Sequence, residues 1–224
     1  MALIFFKLRS VPSVAWSSDT PLNFKPRFIT LGCLVFGLCL FGFGEAVMIA
    51  ANSGVSPWTV FAQGISVTFN ISIGTATLLI GIGVLVLWVP LRRKPGLGTI
   101  LNIIIIAGVI EFTLPYMPIG ETLTEQAGGA VAGVLLVGLG SGFYLVANLG
   151  SGPRDGLMTG LQELTNAPIA WVRLSIEIVV TVIGWLLGGV VGFGTVLFAV
   201  GIGPAVSSGL YLVSVLFKEK STEH

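Results

Sequence analysis

The stretch Ala51-Asn52-Ser53-Gly54-Val55-Ser56-Pro57-Trp58 decides the fold, because it returns as Ala147-Asn148-Leu149-Gly150-Ser151-Gly152-Pro153-Arg154. Both copies read Asn-x-Gly-x-x-Pro, and the second lies 96 residues after the first (148 − 52). The same shift carries Gly42-Phe43-Gly44 onto Gly138-Leu139-Gly140, Gly64 onto Gly160, Asn70 onto Asn166, and Gly96-Leu97-Gly98-Thr99 onto Gly192-Phe193-Gly194-Thr195. One constant offset without a gap means equal element lengths in two halves, about residues 28–115 and 124–211. In a membrane protein, a duplicated half points to a pseudo-two-fold axis with any binding site near it.

Composition makes this a membrane chain. Charged residues are 9% of the 224 and hydrophobic residues 54%, whereas soluble domains carry roughly 25% charge. Mean hydropathy is +0.98. Cys33 and Cys39 lie in one apolar run and read as small packing residues, not a disulfide framework. His224 is the sole histidine and is terminal. The chain shows no metal-ligand cluster, phosphate-binding loop, nucleophile–base set or nucleic-acid-binding patch. An enzyme is therefore not expected, nor is a metal or cofactor.

Six apolar runs approach the roughly 20 helical residues that a bilayer crossing needs: Phe28 to Ala51, Ile71 to Leu91, Leu97 to Pro115, Ala127 to Ala147, Pro168 to Val190 and Thr195 to Phe217. The runs lack the alternation of barrel strands, so an all-α polytopic fold is expected. Two shorter segments, Thr59 to Phe69 and Gly156 to Asn166, each follow an Asn-Gly-Pro element and read as half-helices. Residues 1–27 form an extension, expected on the membrane surface; Lys7 and Arg9 follow its apolar start, the wrong order for a signal peptide. Residues 28–217 form one transmembrane domain, and 218–224 a short tail.

Charge fixes the orientation. With the half-helices not crossing, Lys7, Arg9, Lys25, Arg27, Arg92-Arg93-Lys94, Arg154 and Lys218-Glu219-Lys220 all fall on one side. The loop from Thr113 to Gln126, with Glu121 and Glu125 and no basic residue, falls on the other. The positive-inside rule makes the first side cytoplasmic, with both termini there, in a cell (inner) membrane. Three crossings per half is an odd number, so the second half enters from the opposite face. The expected architecture is an inverted-topology repeat.

A broken helix frees backbone N–H and C=O groups that must be buried in protein or line a wet cavity. Two inverted half-helices present donor-rich ends to a polar or anionic solute. The candidate site is therefore Asn52, Ser53, Gly54, Ser56, Pro57, Asn148, Gly150, Ser151, Pro153, Arg154 and Asp155. The alternative is that both breaks are tight turns leading into packed helices. Ionisable residues within spans are default functional candidates: Glu45, the i,i+4 pair Arg173 and Glu177, and Glu163 on the second half-helix. Each has a structural alternative as a self-satisfied or snorkelling group. The glycines of the first helix in each half, Gly32, Gly37, Gly42 and Gly44 with Gly128, Gly133, Gly138 and Gly140, are expected to let helix backbones approach.

The run Gly54-Val55-Ser56-Pro57-Trp58 ahead of a short apolar helix resembles the G-x-x-P-W-D region of the YczE/YyaS/YitT group of bacterial integral membrane proteins. The second copy, Gly150-Ser151-Gly152-Pro153-Arg154-Asp155-Gly156, is similar to the group's G-x-x-P-x-D-G pattern, while Thr59 stands where the first copy would carry an acid. The resemblance spans about Phe28 to Phe217. It implies a bacterial inner-membrane protein and no particular substrate. The leading expectation is a transporter or permease that binds a small solute at the paired breaks, in contact with the lipid bilayer. The runner-up is a non-transporting accessory or assembly protein whose glycine-rich faces meet a partner.

Overall fold

Each Asn-x-Gly-x-x-Pro stretch ends one helix and starts another by the same local means. A computed structural model describes residues 11–217. In it Asn52 and Asn148 close long helices in the left-handed conformation, at φ 53° and 51°. Asparagine tolerates that region better than most residues. Gly54 and Gly150 follow at φ 102° and 115°, where a side chain would be strained. Pro57 and Pro153 then begin the next helices, whose first N–H would have no partner anyway.

The helices are α1 Phe28–Ala51, α2 Pro57–Phe69, α3 Ile73–Trp88, α4 Leu97–Thr113, α5 Leu123–Ala147, α6 Pro153–Thr165, α7 Ile169–Leu186 and α8 Phe193–Leu216, with a 3₁₀ turn at Leu114–Tyr116. The fold is helical, as the apolar runs predict. Five elements are individually long and apolar enough to cross a membrane: α1, α4 with its 3₁₀ turn, α5, α7 and α8. α2 and α3 make a sixth only as a pair, bent by 113°. The expected span from Ile71 to Leu91 is thus shorter than its sequence run. α3 has 16 residues, roughly 24 Å of helix against a hydrocarbon core of about 30 Å. Pro90 ends it, and the chain turns through Arg92 at φ 52°.

α1 and α5 pack antiparallel along a glycine seam. Gly37 faces Gly140 and Gly44 faces Gly133, so the order of contacts reverses along the second helix. A Cβ on Gly140 would lie 2.5 Å from the Gly37 carbonyl oxygen, and one on Gly133 would lie 2.8 Å from that of Gly44. α8 closes on α5 where Gly138 and Gly142 meet Ala205 and Gly209, and α4 closes on α1 where Gly42 meets Ile106 and Val109. Leu34, Leu38, Ile106, Val137 and Phe198 fill the core of this four-helix layer. α2, α3, α6 and α7 form a second layer around Trp58, Val84, Trp88, Leu157 and Val180. There α2 packs on α7, with Gly64 against Gly184, and α6 packs on α3, with Gly156 against the Trp88 ring.

The described part of the N-terminal extension, residues 11–27, packs against the helices. Val14 and Trp16 are buried in the main core. The Ser18 amide donates to the Ala147 carbonyl at 3.1 Å, and Asn148 Nδ2 donates to the Ser18 carbonyl at 2.9 Å. The segment is drawn in because it satisfies polar groups at the C-terminus of α5 and sets Trp16 edge-on against Phe217. Lys7, Arg9, Lys218 and Lys220 lie outside the described residues.

Backbone contact at the glycine seam makes a graded prediction. Gly140→Ala should lower stability by about 1–3 kcal/mol, whereas Gly108→Ala, with open space around it, should be neutral. Thermal unfolding of the detergent-solubilised variants measures the difference.

Candidate functional site

The two breaks are held by crossed hydrogen bonds between the first four helices and the last four. The Gly194 amide in the first turn of α8 donates to the Ser53 carbonyl at 2.8 Å, and the Gly98 amide in the first turn of α4 donates to the Leu149 carbonyl at 2.7 Å. Ser53 and Leu149 differ by 96 positions, and so do Gly98 and Gly194. Thr99 Oγ1 adds a bond to the Ser151 carbonyl at 2.7 Å. Orphan donors of two helix starts thereby satisfy carbonyls of two irregular segments, which in hydrocarbon would each cost several kcal/mol if unpaired.

This arrangement sorts the sequence-predicted residues. Asn52, Ser53, Gly54, Asn148, Gly150 and Ser151 shape the breaks and lie off the cavity wall. Ser56, Pro57, Pro153, Arg154, Asp155, Arg173 and Glu177 line a cavity of about 290 Å³ between the two helix layers. Glu163 is elsewhere, paired with Arg93 at the end of α6. The rest of the wall is mainly apolar, with Ile103, Ile106, Phe198 and Ile202 from α4 and α8.

Glu45 is 1% exposed and sits just behind the wall. Its carboxylate accepts from Ser56 Oγ at 3.0 Å and from Thr59 Oγ1 at 2.7 Å. The shift of 96 pairs position 45 with Ser141 and position 59 with Asp155. Each half therefore carries one carboxylate and one hydroxyl across this pair of positions, in swapped order. Thr59, which lacks the acid of the resembled pattern, is a donor to the acid that α1 supplies. In the second half Asp155 accepts from Tyr144 Oη at 3.0 Å.

Arg154 and Trp58, also 96 positions apart, meet across the cavity with the guanidinium 5.3 Å from the ring centroid. Among the described residues Arg154 makes no side-chain hydrogen bond or ion pair. None of the carboxylates of Glu45, Asp155 and Glu177 lies within ion-pair distance of it. Glu177 is bonded by Arg173 Nε at 2.9 Å, the i,i+4 pairing that their spacing predicts. Asn102 is 9% exposed and lines the cavity. Its amide has no hydrogen-bond partner among the described residues. Tyr144 and Asn102 carry no sequence signal of their own; only packing brings them beside Arg154. No group of three metal-ligating side chains occurs among the described residues.

The Glu45 cluster makes the second prediction. Glu45→Leu leaves a buried hydroxyl donor without its acceptor and should cost about 1–3 kcal/mol. Glu45→Gln, which keeps an acceptor oxygen, should cost less in the same thermal unfolding assay.

Residues 28–208 match the model of a family described as "Family of unknown function (DUF6198)". An "Uncharacterized protein" of Haemophilus influenzae is 40% identical over 210 residues, covering 94% of this chain and 95% of that protein. The "Uncharacterized membrane protein YczE" of Bacillus subtilis is 34% identical over 168 residues, covering 73% of this chain and 77% of that protein. "Uncharacterized protein YyaS" from the same organism is 25% identical over 165 residues, 72% of this chain and 82% of that protein. The resemblance read from the Gly-Pro motifs thus extends to homology with two of its three namesakes. No solved structure matches the chain.

Proposed function

We propose that this chain, which belongs to the DUF6198 family, is a bacterial inner-membrane permease that binds and moves a small solute through the cavity between two halves of inverted topology. The observation that carries the reading is the meeting of Trp58 and Arg154. Residues at equivalent positions touch only near the axis that relates their two copies, and this pair stands in the cavity wall.

Three further features support the inversion. Helix starts recur with the same spacing: Pro57 and Pro153, Ile73 and Ile169, Leu97 and Phe193. The reciprocal contacts Gly37–Gly140 and Gly44–Gly133 are what a two-fold relation between antiparallel α1 and α5 requires. The loops also segregate. Gly96 touches Pro21 and the second break, in the neighbourhood of Arg92, Arg93 and Lys94. The first break meets Gly120 and Gly192 from loops without a basic residue. The basic end is cytoplasmic by the positive-inside rule. Gly37, Gly44, Gly138 and Gly140 pack between helices of this chain, which favours the permease over an accessory protein that would offer them to a partner, while Gly32 and Gly128 face open space.

Sidedness tests the proposal. In a chain with Cys33→Ser and Cys39→Ser, single cysteines go at Glu121, beside the first break, and at exposed Ser151 in the second. Ser56 is unsuitable because it is buried against Glu45. A membrane-impermeant maleimide should label Glu121→Cys in intact cells and Ser151→Cys only after lysis. Labelling of both from one side overturns the inverted topology and the permease reading built on it.

A further inference from the structure

The polar wall of the cavity has an unusual charge arrangement. Arg154 shares the cavity wall with Asp155 and Glu177, and Glu45 sits just behind it, yet none of these carboxylates lies within ion-pair contact of the guanidinium. Asp155 and Glu177 line the same cavity as Arg154, together with Arg173, which bonds Glu177. Asn102, more than nine-tenths buried, turns an unpartnered amide into that space. An unpaired polar group is costly in a low-dielectric site, so the arrangement calls for an occupant.

The occupant must be negative where it meets Arg154 and Asn102, and positive where it meets Asp155 and Glu177. A simple anion would answer the guanidinium, which pairs well with carboxylates, but would add negative charge beside the lining acids Asp155 and Glu177, of which only Glu177 has a cation, Arg173, bonded to it. A simple cation would answer the acids and leave Arg154 unpaired. A zwitterion answers both and leaves the net charge of the site unchanged. The remaining wall, from Ile103, Ile106, Phe198 and Ile202, suits a hydrocarbon side chain.

Resting on the permease reading, we propose that the solute is an α-amino acid with an apolar side chain. Its carboxylate is held by Arg154 and Asn102, its ammonium by Asp155 and Glu177, and its side chain by the α4 and α8 wall. No covalent step is involved.

The test uses the full chain in detergent with Cys33→Ser, Cys39→Ser and a single cysteine in the cavity wall, at Ser141 or, in a second protein, at Thr77. The rate of maleimide labelling is measured with and without three probes of one carbon skeleton: leucine, its decarboxylated amine (isopentylamine), and its deaminated acid (4-methylpentanoate). Leucine at about ten times its Kd should slow labelling roughly tenfold, and the two singly charged probes should not at the same concentration. Arg154→Gln should abolish the protection by leucine while leaving the melting temperature without ligand near that of the parent. Absence of labelling at both cysteines means the cavity is closed to solutes, and the permease reading falls. Labelling that leucine does not slow, that the amine or acid slows equally, or that leucine still slows in Arg154→Gln overturns the amino-acid assignment and leaves the permease reading standing.

Discussion

Irregular backbone inside a membrane has no water to bond with, so its N–H and C=O groups must be met by protein. The two breaks at Asn52–Ser56 and Asn148–Gly152 meet this constraint by borrowing donors from elsewhere in the chain. The first turn of α8 bonds the Ser53 carbonyl, and the first turn of α4 bonds the Leu149 carbonyl. Each helix start has spare N–H groups and each break has spare carbonyls, so one contact removes two deficits. The contacts are long-range in sequence and short in space. They tie the first four helices to the last four at both ends of α5.

The remainder of the architecture follows from those ties. With the breaks pinned, α2 and α6 leave the four-helix layer at fixed angles and build a second layer with α3 and α7. Glycines set the distance between the long helices: at Gly37–Gly140 and Gly44–Gly133 the backbones come too close for any side chain. Without a hydrophobic driving force between helices in lipid, such packing is a main source of association. The cavity is the space left where the two layers diverge. The starts of α2 and α6 point Trp58 and Arg154 into it.

Charged and polar side chains are concentrated there. Glu45 is held by two hydroxyls of the α2 start, Asp155 by the phenol of Tyr144, and Glu177 by Arg173. The carboxylates are hydrogen-bonded or ion-paired, whereas among the described residues Arg154 meets only the Trp58 ring and Asn102 makes no side-chain hydrogen bond.

The sequence by itself determined the helical class, the bilayer as solvent, the positions of the breaks and the choice of Glu45, Arg154, Asp155, Arg173 and Glu177 as residues of note. These are local properties: apolar run length, the left-handed tolerance of asparagine, the φ of glycine, the missing N–H of proline, and the rarity of charge in hydrocarbon. Tertiary structure decided what those residues do. Among the residues that look like ligand donors in sequence, Ser53 and Gly150 lie against distant helix starts, Asn148 bonds the N-terminal segment, and Asn52 is exposed. Thr59 looks like a lost acid, but an acid from α1 reaches it. Asn102 and Tyr144 enter the site because α4 and α5 pass behind the breaks. α3 is long enough to count as a span only together with α2, across a 113° bend. Partnerships of this kind join residues tens of positions apart, and spacing along the chain carries no information about which buried group will face which.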